Sequence, residues 1–129
     1  MKLNFKQGTA AAVCFGSLLW GGAAYADGWP SSVAGNWSVV ANQTTGTLSI
    51  TQPASNQSCQ PITGTLLGEP IQGFYCPSSG RIAFLRKNAN GITYQHYQGN
   101  LAQGGPERIG GSFTAFGNSS GEYSFYATK

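Results

Sequence analysis

The chain has 129 residues and a formal net charge of +3, and 9% of its residues are charged. Lys2 and Lys6 lie in a leader that we expect to be removed, which leaves five basic residues against four acidic ones. This balance excludes the strong basic patch with which proteins bind nucleic acids or anionic membranes. We therefore expect no nucleic-acid partner and no membrane partner.

The first 26 residues have the three parts of a secretory signal peptide. Lys2 and Lys6 provide a basic start, the run TAAAVCFGSLLW (residues 9–20) is mostly apolar, and Ala24–Ala26 (AYA) places small residues where signal peptidase cuts. The apolar run is too short to cross a bilayer. The leader predicts an exported protein, periplasmic or extracellular, that begins at Asp27. A buried N-terminal helix is the alternative for this run.

After the leader, residues 27–34 form a short N-terminal segment and residues 35–129 a single domain. This part of the chain has almost no helical periodicity, and strand signals recur between clusters of turn residues. The predicted strands are Asn36–Ala41, Gly46–Gln52, Ile62–Leu67, Ile71–Cys76, Arg81–Lys87, Ile92–Gly99, Arg108–Phe116 and Glu122–Thr128.

Tight turns between these strands favour an antiparallel up-and-down meander. Asn90-Gly91, for example, supplies the positive-φ residues that a two-residue turn needs. Apolar residues alternate with polar ones, as at Leu48 and Ile50, so each strand has one buried face. Closure into a barrel removes the two exposed edges of such a sheet. The sequence therefore predicts an all-β, eight-stranded antiparallel barrel, with a two-sheet sandwich as the alternative.

Cys59 and Cys76 are the cysteines that remain once the leader, with Cys14, is removed. An even number of cysteines in an exported chain favours a disulfide. The predicted turn near Leu67–Pro70 lies midway between them, so a hairpin brings them within bonding reach. The loop-entropy model assigns such a bond about 3 kcal/mol. His96 is the one nitrogen ligand that a two-cysteine metal site could add, so no metal and no cofactor is expected.

The stretch Gly35-Asn36-Trp37 opens the first predicted strand, and GTLSI, YQGNL and RIGGSF occur in later strands. With eight strands in a meander, these features make the chain resemble the calycin group of small barrels. That group contains avidin-like proteins, lipocalins and bacterial metalloprotease inhibitors. In its length and its short turns the chain is most similar to the avidin-like barrels.

The resemblance implies that Gly35 lets the chain turn into the barrel and that Trp37 closes one end of it. In calycins this tryptophan often packs against a basic side chain, an arrangement worth about 0.5–2 kcal/mol. The candidates here are Arg81, Arg108 and Lys129. Avidin-like biotin pockets are walled by several tryptophans, whereas only Trp29 and Trp37 remain after the leader. Biotin binding is therefore not predicted.

An eight-stranded barrel is wide enough either to be filled by its own side chains or to hold one small ligand. In ITYQHYQGN, Tyr94, His96 and Gln98 share one strand face, and Tyr97 lies on the other. If the first face points inward, its three side chains and Phe84 are predicted to form a site in the lumen or at the open rim. This site would take a small, partly apolar ligand. If it points outward, Tyr97 lies in the core.

Enzyme chemistry is not expected from this chain. The four acidic residues after the leader form no carboxylate pair, and no nucleophile–base motif, metal spacing or phosphate loop is present. The leading hypothesis is therefore an exported, non-enzymatic binding barrel. The acidic residues are Asp27, Glu69, Glu107 and Glu122.

Two other functions are compatible with the same sequence. The segment DGWPSSVA, with Asp27, Trp29 and Pro30, resembles in position the N-terminal segment that bacterial metalloprotease inhibitors insert into a protease. Pro30 would lower the entropic cost of ordering it. Alternatively, an outward apolar patch would suggest an envelope interaction protein or an oligomer. Such a patch could lie on the hairpin whose two faces both carry apolar residues, namely Phe74, Tyr75, Ile82, Phe84 and Leu85.

Overall fold

The computed structural model describes residues 25–26 and 28–129 of the chain. The predicted signal peptide lies almost entirely outside these residues, as does Asp27, so the leader and its cleavage stay predictions. Within the part of the chain that the structure describes, no helix has both the length and the apolar character needed to span a membrane.

Eight antiparallel strands close into one barrel, which confirms the predicted fold and excludes the sandwich. Each of these eight strands pairs with its neighbours in sequence, and the last pairs with the first. The barrel sheet therefore has no unpaired edge. A ribbon of β1 (Tyr25–Ala26) and β2 (Trp29–Pro30) precedes the barrel. The barrel strands are β3 (Gly35–Ala41), β4 (Thr44–Thr51), β5 (Gln60–Leu66), β6 (Glu69–Cys76), β7 (Arg81–Lys87), β8 (Thr93–Leu101), β9 (Arg108–Ala115) and β10 (Gly121–Thr128), with a 3₁₀ turn at Gly117–Ser119 before β10.

Two tight turns make β4 and β6 start earlier than the sequence pattern indicates. Asn42 has a φ of 57°, and pairing between β3 and β4 begins directly at Ala41 and Thr44. Leu67 and Gly68 have φ values of 53° and 84°. Two consecutive residues of positive φ give the turn whose twist matches antiparallel strands. The hairpin predicted near Leu67–Pro70 is thus confirmed.

A layer of aromatic rings fills the middle of the barrel. Tyr97, with no exposed surface, stacks between Phe84 and Phe113, at centroid distances of 4.9 and 4.6 Å. Phe125 meets Tyr97 edge-on at 5.2 Å. Offset stacks and edge-to-face contacts of this kind each add about 0.5–1.5 kcal/mol to the burial of the rings. The lumen is therefore not a continuous channel.

Glycines inside the strands allow close approach of neighbouring backbones. Gly99 of β8 and Gly111 of β9 pair directly in register. A Cβ on Gly111 would lie 2.1 Å from the carbonyl oxygen of Gln98, and one on Gly99 would lie 2.5 Å from that of Gly110. The strong curvature of a small barrel depends on such positions.

The disulfide joins Cys59, just before β5, to Cys76, the last residue of β6, as predicted. Their Cα atoms are 4.1 Å apart because the adjacent residues Gln60 and Tyr75 pair in register. The bond therefore fastens the connection between β4 and β5 to the Trp37 end of the barrel.

Trp37 lies at this end of the barrel, which we call the closed end. The ring is buried, and its Nε1 donates a hydrogen bond of 2.9 Å to the Val33 carbonyl oxygen. Among the three basic candidates, Lys129 is the one that lies over the ring, with its Nζ 5.4 Å from the ring centroid. Glu107 Oε1 lies 3.7 Å from the same Nζ. A buried tryptophan ring under a basic side chain is the arrangement that the resemblance implied for Trp37.

Candidate functional site

The end of the barrel opposite Trp37 is open and holds a pocket of about 300 Å³, which we call the mouth pocket. Strands β3, β5, β7 and β9 end here, and the strands that follow them begin here. The volume exceeds that of an apolar cavity of ~150 Å³ that holds benzene. Its walls include Leu67, Arg86, Gln95, Phe113, Ala115 and Tyr123.

One side of the mouth pocket is apolar. Phe113 and Tyr123 lie in tilted contact, with ring centroids 5.2 Å apart. Leu67, from the turn between β5 and β6, packs against the core and also lines the pocket. Tyr97 lies at the base, where the aromatic layer separates the pocket from the closed end. The pocket thus combines apolar side chains with a floor of stacked rings.

Another part of the lining is polar and is organised by Arg86. This residue occupies an inward position of β7, two residues after Phe84. Its Nη2 lies 2.8 Å from Glu69 Oε1, and its Nη1 donates to Gln95 Oε1 at 2.9 Å. The Arg86 side chain is 11% exposed and that of Glu69 is 30% exposed. Because Arg86 is so buried, removal of its partner would leave a poorly compensated charge.

Two tyrosine hydroxyls extend this polar network. Tyr97 donates to Gln95 Oε1 at 2.8 Å, and Tyr94 donates to Glu69. Burial, reinforced by the bond to Glu69, raises the pKa of Tyr94 to about 12. Burial also raises the pKa of Tyr97, against the opposing effect of the Arg86 guanidinium. Both hydroxyls are therefore neutral donors near pH 7 and cannot act there as anionic bases.

The chemistry available at the mouth is that of hydrogen bonding. Arg86 Nε is buried without an acceptor. Such a group is costly to leave unpaired, so it marks a place where a ligand or a rearrangement would gain free energy. Within the described part of the chain, no group of three or more His, Cys, Asp or Glu residues is placed to hold a metal ion.

The four residues predicted to bind ligand do not form one site, although Phe84 and His96 both line a hollow on the outer face of β6–β8. Phe84 is buried in the aromatic layer, whereas Tyr94 lies at the rim against Arg86. His96 lines a hollow on the outer surface, and Gln98 accepts a hydrogen bond of 2.7 Å from Arg81. Tyr97 turns inward because its large ring packs against two other rings. Tyr94, His96 and Gln98 therefore form no lumen site, and any binding role for them lies on the outside or at the rim.

The sequence interpretation did not single out Arg86, Gln95 or Glu69. A signal for Arg86 is present, since Ile82, Phe84 and Arg86 follow the period-two spacing of buried residues. A charged residue at an inward position needs a partner and marks a candidate site. Glu69 lies far from Arg86 in sequence, so pairing of β6 with β7 had to be known before the ion pair could be inferred.

A hollow of about 480 Å³ lies on the outer surface of β6–β8. Phe74 and Leu85 flank it and are 41% and 38% exposed. These two residues belong to the apolar cluster considered for a partner or oligomer interface, and the rest of that cluster is buried: Tyr75, Ile82 and Phe84. The outward part of that cluster is therefore Phe74 and Leu85, and a partner for it stays a prediction.

The described part of the N-terminal segment packs against the closed end. Trp29 Nε1 donates to the Leu101 carbonyl oxygen at 3.0 Å. Pro30 is buried, and its carbonyl oxygen accepts a hydrogen bond from the Tyr75 hydroxyl. An N-terminal segment that enters a protease cleft must not be packed against its own barrel. The structure therefore offers no support for the inhibitor hypothesis at Trp29 and Pro30, while Asp27 lies outside the described residues.

These features define a small closed β-barrel with one plugged end and one open, partly polar mouth. Comparison of the chain with protein-family models, with curated proteins and with solved structures gave no match. The class of protein therefore rests on the architecture and on the chemistry of the mouth pocket.

Proposed function

We propose that the protein is an exported, non-enzymatic binding barrel that takes one small, partly apolar molecule in the mouth pocket. The observation that carries this proposal is the pocket itself, where apolar side chains adjoin a buried cation and its hydrogen-bonded partners. Small-molecule sites set placed polar groups against apolar surface. The mouth pocket has both, and the polar part of its lining is the larger.

The location at the mouth follows from the packing of the lumen. Tyr97, Phe84 and Phe113 occupy the middle of the barrel, and Trp37 closes the far end. A ligand that displaced this layer would lose the stacking of three buried rings. A ligand at the mouth needs no such rearrangement, because the pocket is already open. Of the two locations considered from the sequence, lumen or rim, the rim is favoured.

A relationship to the calycin barrels is part of the same proposal. What supports it is the combination of Gly35 and Trp37 at the start of the first barrel strand, a cation over the tryptophan ring, and an open opposite end. If Trp37 closes one end of the barrel, as the resemblance implies, a ligand can enter at the other end. The mouth pocket stands in this position.

The test is native mass spectrometry on protein purified from its own host, with a variant that fills the mouth. Ala115→Leu adds bulk to the pocket, and Thr114→Leu adds similar bulk to the adjacent outward position of the same strand. We expect a bound mass in the wild type and in Thr114→Leu, and its loss in Ala115→Leu. An apo mass in all three proteins, with no small molecule perturbing mouth residues in NMR spectra, would contradict the proposal.

A further inference from the structure

We infer that the mouth pocket selects neutral molecules that carry a carbonyl-type hydrogen-bond acceptor, and that it discriminates against carboxylates of the same shape. The inference rests on the proposed function and adds the chemical class of the ligand. It follows from an excess of hydrogen-bond donors on the polar wall together with a carboxylate, Glu69, that already neutralises the cation there.

The donor excess is a property of Arg86 and Gln95. A guanidinium carries five N–H donors and no acceptor. Arg86 uses Nη1 for Gln95 and Nη2 for Glu69, and its Nε has no acceptor. Gln95 Oε1 accepts from both Arg86 and Tyr97, which fixes the orientation of the amide. Its NH₂ group is therefore a further donor at the pocket. Asn42 and Thr44 also line the pocket, and each brings both a donor and an acceptor. Donors remain in excess, so the complementary ligand group is an acceptor.

The charge at the mouth argues against an anionic acceptor. Glu69 lies 2.8 Å from the guanidinium, so the pair has no net charge to offer. A ligand carboxylate placed against Arg86 would lose its hydration and would also face the Glu69 carboxylate, and like charges at this range disfavour each other. A neutral carbonyl oxygen loses less hydration and meets the same donors.

The tyrosines do not alter this balance. Tyr94 is held as a donor to Glu69 and Tyr97 as a donor to Gln95, so both hydroxyl protons are already engaged inside the network. The apolar wall of Leu67, Phe113 and Tyr123 provides the surface for a ring or a short hydrocarbon body. The complementary molecule is thus apolar at one side, carries a carbonyl, amide or urea oxygen at the other, and has no charge.

Benzamide and benzoate provide a direct test, because they share a ring and a planar head group and differ in charge at neutral pH. We expect NMR titration of the purified protein to give a dissociation constant for benzamide on the order of 1 mM, as for a fragment of this size. Benzoate is expected to bind about tenfold more weakly, which corresponds to roughly 1.4 kcal/mol. The shifted signals should belong to mouth residues, including Phe113 and Ala115.

The variant Glu69→Gln removes the competing charge at nearly constant size. It should strengthen benzoate binding so that the preference for benzamide disappears or reverses. Glu122→Gln is the matched control, because it removes an exposed carboxylate on the outer side of β10 and should leave the preference unchanged. Far-UV circular dichroism and the melting temperature establish that each variant is folded, and Glu69→Asp, which retains the charge, should retain the preference.

The outcomes separate the two levels of the proposal. If benzamide and benzoate both shift mouth residues but benzoate binds equally or more tightly, ligand binding at the mouth stands and the selectivity inference is wrong. The same holds if Glu69→Gln leaves the ratio of dissociation constants unchanged. If neither compound, nor any member of a panel of neutral amides and ketones, shifts a mouth residue, the proposed function itself fails.

Discussion

Lys129 contacts Trp37 at the closed end of the barrel through a cation–π interaction. Its Nζ lies 5.4 Å from the centroid of the tryptophan ring and donates a hydrogen bond of 2.7 Å to the Ala34 carbonyl oxygen. The same end carries the disulfide and the packed segment around Trp29. These three features are absent from the opposite end, which carries the mouth pocket. Stabilising contacts thus lie at the closed end, away from the proposed binding site.

Substitution of Lys129 by Ala should lower the free energy of unfolding by about 1 kcal/mol. The change removes the cation over Trp37 and the hydrogen bond to Ala34, and the partial exposure of Lys129 limits the loss. Urea denaturation measures the effect. Lys129→Arg, which keeps a cation, should lose less than half as much.

A suitable control for this experiment is Lys87→Ala, which removes a lysine at the mouth end of β7, away from Trp37. Its unfolding free energy should stay within about 0.5 kcal/mol of wild type, as for most surface substitutions. Equal losses in Lys129→Ala and Lys87→Ala would show that the contact with Trp37 contributes nothing measurable.

Loss of the disulfide should destabilise the barrel by about 2–4 kcal/mol. Cys59 and Cys76 are separated by 17 residues, and closing a loop of this length in the unfolded chain reduces its entropy by a corresponding amount. Urea unfolding with and without reductant measures the difference. The double variant Cys59→Ser/Cys76→Ser should match the reduced wild type and be insensitive to reductant. A reductant effect in that variant would mean that the loss has another origin.

The barrel should lose stability in alkali as Tyr94 ionises. Its pKa is about 12 in the folded protein and 10.0 as the ordinary value, so the folded state holds the hydroxyl proton more tightly than the unfolded state. The stabilisation that this difference provides is complete below about pH 10 and disappears as the pH rises towards 12. Tyrosinate absorbance gives the titration, and denaturation at several alkaline pH values gives the stability.

In Tyr94→Phe, stability should fall less steeply over the same pH range. The ring that contacts Arg86 is kept, while the titrating hydroxyl is lost. Tyr126→Phe is the control, since Tyr126 is 56% exposed on the outer surface and should leave the slope unchanged. If Tyr94→Phe follows the wild-type slope, the alkaline loss comes from other groups.

The strands and their order could be predicted from the sequence, because alternating burial and turn residues are signals within short stretches of chain. Arg81–Lys87 was predicted at its observed bounds, and Cys59 and Cys76 were correctly paired from their spacing around one turn. The mouth network was not accessible in the same way. The Arg86–Glu69 pair depends on strand register, and the inward face of β8 was decided by packing of Tyr97 against rings from β7 and β9.

Two adjacent glycines of β9 should respond oppositely to the same substitution. In Gly111→Ala the new Cβ would lie 2.1 Å from the carbonyl oxygen of Gln98, a backbone atom that cannot move aside without separating β8 from β9. A cost of about 1–3 kcal/mol or more is expected from such overpacking. In Gly110→Ala no heavy atom lies within 4 Å of the new Cβ. That variant should be neutral or gain up to about 1 kcal/mol, because alanine restricts the unfolded chain.

Urea denaturation of the two single variants gives the comparison, and each variant is the control for the other. Both changes add one methyl group to the same strand, so composition and intrinsic strand preference cancel in the difference. Hydrogen exchange of the β8 amides locates the effect, since Gly111→Ala should weaken protection along β8 and β9 while β3 and β4 retain theirs. Equal stabilities for the two variants would show that close approach at Gly111 does not limit the curvature of the barrel.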